Sequence, residues 1–215
     1  MVEIIAVDGP AGSGKSSVSK QVARELGYGY LDTGAAYRAL AWAVGHGFVV
    51  GLEDNPASAL ESFEYSISLN PDAFWVKVGE VDVTAAIREP EIAETVSSVA
   101  KISEVRSFMK TLTRELVTHS GLPGVVVEGR DITTVVAPDA KNRILLTASE
   151  EVRLRRRSAE LAPEAAKNVE RQVSQRDAQD AKVVDFLTPA PGVKLVDSTE
   201  LNFEQTVSAV LDAVR

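Results

Sequence analysis

Residues 3–17 read Glu3-Ile4-Ile5-Ala6-Val7-Asp8-Gly9-Pro10-Ala11-Gly12-Ser13-Gly14-Lys15-Ser16-Ser17, an apolar run that ends in a glycine-rich turn. Gly9 to Ser16 satisfies G-x-x-x-x-G-K-[ST] at every fixed position. Glycines carry no Cβ, so successive N–H groups can turn inward around phosphate oxygens. Helix-forming sequence follows at once, to Leu26, and aims the positive end of a helix dipole at the same anion. In such a loop Lys15 reaches the β- and γ-phosphates, and the Ser16 hydroxyl can ligate Mg²⁺. The alternative is a glycine-rich turn with no ligand. It gives way because strand, loop and helix occur in the required order. The residues predict a nucleoside-triphosphate site made by Gly9, Pro10, Ala11, Gly12, Ser13, Gly14, Lys15, Ser16 and Ser17.

Downstream the chain alternates between short apolar strands and helices. Tyr28 to Leu31 is a strand candidate, and Asp32 or Thr33 can cap the alanine-rich helix that runs to about Val44. Capping accounts for Asp32-Thr33 by itself and is compatible with a further role. Tyr37 and Arg38, one turn into that helix, suit a cleft and solvent equally well. Residues 52–60 read as helical or irregular. From Phe63 the pattern becomes alternation: Phe63, Tyr65, Ile67, Leu69, then Phe74, Val76, Val78, then Val81, Val83. Turns at Asn70-Pro71-Asp72 and Gly79-Glu80 make this a three-stranded antiparallel sheet inserted at 62–90. Helices are expected over Glu89–Ala100 and about Ser103–His119. Arg106, Lys110 and Arg114 form a stripe on the second, which reads more readily as a solvated face than as a binding site.

Val125-Val126-Val127 is a buried strand running into Glu128-Gly129-Arg130-Asp131. Charged residues at the C-terminal end of a parallel strand lie where open α/β sheets bind ligands. Arg143–Thr147 is the next strand, and the helix after it carries Arg153, Arg155, Arg156 and Arg157. Four arginines in five residues cannot share one face, so part of this cluster must meet solvent. Leu161–Asn168 suits a hinge or lid tip. Lys194–Val196 is a last strand and Phe203–Val214 a last amphipathic helix. The expected fold is α/β, a parallel sheet with helices on both faces, within a single domain over 1–215 that carries the small sheet and a helical lid at 153–183.

Composition narrows the function. The net charge of −8 provides no basic field for nucleic acid, and no apolar run reaches membrane-spanning length. The nearest, Ala39–Val50, is broken by Gly45, His46 and Gly47. No basic n-region precedes the phosphate loop, so no signal peptide is expected. Cysteine is absent, which removes disulfides, thiolate metal sites and cysteine nucleophiles. A cytoplasmic monomer is expected, with no nucleic-acid or membrane partner. A GTPase would normally carry a guanine-reading N-K-x-D element, and Lys141-Asn142-Arg143 does not supply one. Separate arginines at 38, 106, 130 and in the lid favour a kinase whose acceptor is itself a phosphate, because guanidinium forks hold such a group against repulsion from the donor.

With these motifs in place the sequence resembles the bacterial cytidylate kinases. The resemblance rests on Asp8–Ser16, Leu31-Asp32-Thr33-Gly34-Ala35-Ala36-Tyr37-Arg38, Ile87-Arg88, Ser97–Arg106, Glu128–Asp131 through Val136-Ala137-Pro138-Asp139-Ala140, and Val196-Asp197-Ser198-Thr199. It covers essentially the whole chain, including the inserted sheet. It implies transfer of the γ-phosphoryl group of ATP to CMP or dCMP, with Mg²⁺ on the donor phosphates and Ser16 as its protein ligand. By the same resemblance Thr33, Arg38 and Arg130 would grip the acceptor α-phosphate, and Ser97, Arg106 and Asp131 would face the cytosine edge. Arg176 and Asp180 would meet the ribose hydroxyls and the incoming phosphoryl group. Arg156 and Arg157 would lie on the ATP side of the lid, and Lys15, Arg130 and Arg176 would act on the transferred group. A UMP or shikimate-type kinase is the same-class alternative; a nucleotide-binding protein without activity is the other. Three positions depart from the family's pattern: Thr133 replaces a glycine, Ala36 a larger side chain, and Ala181-Lys182-Val183 stands where an arginine is common.

Overall fold

The computed structural model of the chain describes residues 2–159 and 188–214. Arg176, Asp180, Ala181, Lys182, Val183 and the lid expected at 153–183, from residue 160 on, lie outside the described residues. The chain forms two compact units, one from Met1–Tyr30 with Leu122–Arg215 and one from Leu31–Gly121.

The first unit is built on a five-stranded sheet. In chain order the strands are β1 (Glu3–Asp8), β2 (Gly29–Asp32, which crosses the unit boundary), β6 (Gly124–Gly129), β7 (Asn142–Thr147) and β8 (Lys194–Asp197). Their order across the sheet is β2-β6-β1-β7-β8. β1 pairs in parallel with β6 and with β7, and β7 with β8. The runs Ile5–Val7, Val125–Val127 and Ile144–Leu146 are fully buried, as parallel strands covered on both faces require. Helices flank this sheet: α1 (Lys15–Leu26) packs on β1 and β6, and the last helix, here α7 (Phe203–Val214), on β7, β8 and α1. The helix α6 (Glu150–Ala159) follows β7. The register sets Asp8 of β1 opposite Gly129 of β6 and Leu145 of β7, so three loops leave the same edge together. The α/β class expected from the sequence is the observed one.

The second unit holds α2 (Thr33–Gly45), α3 (Pro56–Glu61), a sheet of β3 (Tyr65–Ile67), β4 (Val76–Val78) and β5 (Val81–Asp82), a 3-10 turn at Ala86–Arg88, α4 (Pro90–Ala100) and α5 (Ser103–Thr118). Asp32 caps α2, its Oδ1 accepting from the Ala35 N–H at 3.0 Å. The small side chains of Ala35, Ala36, Ala39, Ala41 and Ala43 are buried along α2, which packs against α4, α5 and β4. The three-stranded sheet is antiparallel, as the alternation predicts, but its strands are shorter than the apolar pattern. Ser68 still donates to Trp75 O at 2.9 Å, after which Asn70 takes the Asp72 N–H onto its side chain and turns the chain. Pro71 has no N–H with which to extend the ladder. Among the described residues no helix is long and apolar enough to cross a membrane.

Candidate active site

The phosphate loop occupies residues 9–14, and α1 begins at Lys15 with no side-chain cap and no acid in its first turn. A helix N-terminus of this kind, with its dipole uncompensated by an acid, suits an anion. Gly12 takes a left-handed φ of 75°, and a side chain there would strike the Arg153 carbonyl; at Gly9 it would strike the Leu146 carbonyl. The loop is wedged between the ends of β1, β7 and α6, and glycine is the residue that fits.

Four cations hold the loop from outside. Arg130 Nη1 donates to Gly9 O at 2.7 Å, Lys15 Nζ to Pro10 O at 3.5 Å, Arg153 Nη1 to Ala11 O at 2.9 Å and Arg156 Nη1 to Ser13 O at 3.3 Å. The carbonyls of the loop are thus drawn onto cations, and the Ser13 N–H closes the loop on Pro10 O at 3.3 Å. Arg156 also donates to Ser198 Oγ, Ser198 O and Leu201 O, so one guanidinium ties the loop to the segment after β8. Arg153 and Arg156, three residues apart on α6, share a face, while Arg155 is exposed. Arg157 is half-buried on the same helix.

Two acids organise the edge of the sheet. Glu128, buried at the end of β6, accepts from Ser16 Oγ at 2.5 Å and from Tyr30 OH at 2.7 Å, both on Oε1. Asp8, buried at the end of β1, accepts from Ile132 N at 2.9 Å, Thr133 N at 2.8 Å and Thr133 Oγ1 at 2.6 Å. Burial pushes the Asp8 carboxyl above its ordinary range, against the Thr133 and Ile132 bonds and the charge of Lys15. These bonds fix a π-helical turn, Ile132–Val136, which begins just after Arg130 and Asp131. Asp131 O receives the N–H groups of Val135 and Val136. Thr133 is therefore an anchoring residue here.

The second unit carries the remaining predicted residues that are described. Thr33 is buried at the start of α2, and Arg38 Nη2 pairs with Asp32 Oδ2 at 2.8 Å. Ser97 lies on α4 and Arg106 on α5, both half-buried, on helices that pack against α2 and each other. In the stripe on α5, Arg114 is exposed whereas Arg106 and Lys110 are half-buried; the buried face is Val105, Met109, Thr113 and Val117.

Sequence reasoning did not single out Asp8, Glu128 or Arg153. Glu128 stood in a stretch already marked by its place at a strand end, which was the available signal. Arg153 was hidden in a cluster where pattern alone does not say which arginine turns inward.

The profile of the cytidylate kinase family matches residues 5–215. A cytidylate kinase from Cutibacterium acnes is 42% identical over 217 residues, covering 98% of this chain and 95% of its own. One from Streptomyces avermitilis is 41% identical, covering 98% and 92%, and one from Mycobacterium leprae 39% identical, covering 99% and 95%. Among solved structures, an uncharacterized protein from Eubacterium ventriosum shares the fold, with a TM-score of 0.51 at 10% identity over 99% of this chain and 98% of its own. The likeness in sequence spans the phosphate loop, the inserted sheet and the arginine-bearing helices alike, and on it the chain belongs to the cytidylate kinase family.

Proposed function

We propose that the chain transfers the γ-phosphoryl group of ATP to CMP or dCMP, giving ADP and CDP or dCDP, with the donor held by residues 9–17 and the acceptor by Thr33, Arg38, Ser97, Arg106, Arg130, Asp131, Arg176 and Asp180. What carries the reading is the phosphate loop, its carbonyls drawn onto Arg130, Lys15, Arg153 and Arg156 at the N-terminus of α1, which has no acid in its first turn. Phosphoryl transfer passes through a loose transition state, so catalysis is mostly positioning and charge neutralisation. Lys15 supplies positive charge at the transferred group, and Arg130 and Arg176 join it there. The acceptor phosphate is already an anion and needs no general base. Thr33 and Arg38 hold that phosphate; Ser97, Arg106 and Asp131 read the cytosine edge; Arg176 and Asp180 meet the ribose. Arg156 and Arg157 serve the ATP side, Arg156 by way of the loop carbonyl it holds.

The Ser16 hydroxyl and the Glu128 carboxylate form an all-oxygen donor pair, the chemistry that suits Mg²⁺. When bound, Mg²⁺ neutralises charge on the donor phosphates. Ser16 is the direct ligand and Glu128 orients its hydroxyl. The reading extends to a monomer acting in the cytoplasm, with residues 153–183 as a lid over the donor.

An ADP-release assay with CMP, dCMP, UMP and AMP as acceptors tests the assignment. CMP and dCMP should be turned over and AMP and UMP poorly; equal rates with all four would remove cytosine from the reading.

A further inference from the structure

Glu128 lies near the end of β6 with its side chain buried, and a single oxygen, Oε1, accepts from two hydroxyls, Ser16 at 2.5 Å and Tyr30 at 2.7 Å. The two donors come from opposite surroundings. Ser16 is exposed in the first turn of α1, whereas Tyr30 is 1% exposed in β2, the strand beside β6. Every residue of β2 is buried, so position 30 asks only for a large apolar side chain, which phenylalanine would supply. The hydroxyl adds something else: a polar connection from the interior of the sheet, through Glu128, to a hydroxyl at the end of the phosphate loop.

A serine hydroxyl has one hydrogen and two acceptor lone pairs. With the hydrogen committed to Glu128 Oε1, the lone pairs of Ser16 face away from that carboxylate, and the direction they take depends on where Oε1 sits. A glutamate side chain turns about several bonds, and each donor on a rigid support narrows where its oxygen can lie. Tyr30 is such a donor. Its ring is enclosed in the core, and Lys20 sets its Nζ 5.3 Å from the ring centroid. Lys20 stands one turn beyond Ser16 on α1, so the same helix meets Glu128 with one residue and the Tyr30 ring with the next on that face.

We infer that Tyr30 is a positioning residue for the metal of the donor nucleotide: its hydroxyl holds Glu128 Oε1 where it draws the Ser16 hydrogen inward and leaves the Ser16 lone pairs presented to Mg²⁺. The inference rests on the reading of Ser16 as the Mg²⁺ ligand. Tyr30 touches neither nucleotide nor metal; it acts through Glu128. A hydrogen bond that supports a ligand from behind acts on metal affinity, because it orients the ligand before the metal arrives. The backbone of the loop meets phosphate oxygens by a separate set of contacts, so nucleotide affinity in the absence of metal does not depend on Tyr30.

Tyr30→Phe removes the hydroxyl and leaves the ring. ADP binding is measured by calorimetry, once with saturating Mg²⁺ and once with EDTA, and the ratio of the metal-free to the metal-loaded Kd reads what the metal contributes. For Tyr30→Phe this ratio is expected to fall by about 2–10-fold, the loss of one hydrogen bond, while the Kd in EDTA stays at the parent value. Ser16→Ala is measured beside it and is expected to lower the ratio further. If Ser16→Ala leaves the ratio unchanged, the reading of Ser16 fails and takes this inference with it. If Ser16→Ala lowers the ratio and Tyr30→Phe does not, the inference alone is overturned. An equal loss of ADP affinity with and without metal in Tyr30→Phe also overturns it, since the hydroxyl would then support the fold of the loop and not the orientation of the ligand.

Discussion

Thr133→Val is the substitution that most directly tests how the edge of the sheet is held. It keeps the branched shape of the side chain and deletes the hydroxyl that meets Asp8 Oδ2 at 2.6 Å. The backbone bonds from Ile132 and Thr133 remain, so the carboxylate goes from three donors to two. A hydrogen bond to a charged group is worth about 1.5–3 kcal/mol. For a chain of this length that lowers the melting temperature by roughly 3–12 °C. The loss must also depend on pH. Burial raises the Asp8 pKa above its unfolded value, so the folded protein binds this proton more tightly than the unfolded chain. The stability this gives is fully present below the unfolded pKa and is lost as pH rises through the folded one. Deleting the Thr133 hydroxyl removes an influence that lowers the folded pKa, so Asp8 titrates higher still in the variant. The deficit is therefore complete above both folded pKa values and shrinks as pH falls through them. Thermal melts of the parent, Thr133→Val and Thr133→Ser at neutral pH and in acid read this out, with the serine variant recovering most of the loss. Equal melting temperatures at neutral pH, or a deficit that persists undiminished in acid, would refute the reasoning.

Lys15→Ala should leave a folded protein with turnover at least about a hundredfold lower, since charge at the transferred group is lost; retained activity would exclude this loop as the donor site. Ser97→Ala and Arg106→Ala should each raise the KM for CMP and spare that for ATP. UMP reverses the donor and acceptor pattern at positions 3 and 4, so a site built for cytosine should reject it by roughly 10⁴-fold in kcat/KM; comparable kcat/KM for UMP and CMP would contradict the assignment. Arg153→Ala should raise the KM for ATP about tenfold by freeing the Ala11 carbonyl it holds at 2.9 Å. Arg153→Lys should recover only part of that, because a point charge replaces a planar fork; full recovery would mean that charge alone braces the loop.

Features legible in the sequence were local ones. The loop at 9–16 has a fixed spacing, the helix over Phe203–Val214 has its period, and Asn70-Pro71-Asp72 has the chemistry of a turn; each appears where the residues place it. The polar contacts of the edge were not legible, because each joins residues far apart in the chain. Ser16 meets Glu128 across 112 positions, Thr133 meets Asp8 across 125, and Arg153 meets Ala11 across 142. No periodicity encodes such pairs. They follow instead from strand order. β1 lies between β6 and β7, and its register sets Asp8 opposite Gly129. A residue four positions beyond Gly129 then hangs over the start of the phosphate loop, and a helix that follows β7 directly presents its first turns to the loop's far side. Given the order β6-β1-β7, a donor at 133 and cations at 153 and 156 are well placed to hold Asp8, Ala11 and Ser13. The adjacency of strands separated by more than a hundred residues is what a hydrophobic run such as Val125-Val126-Val127 cannot declare, since it buries equally well on either side of β1.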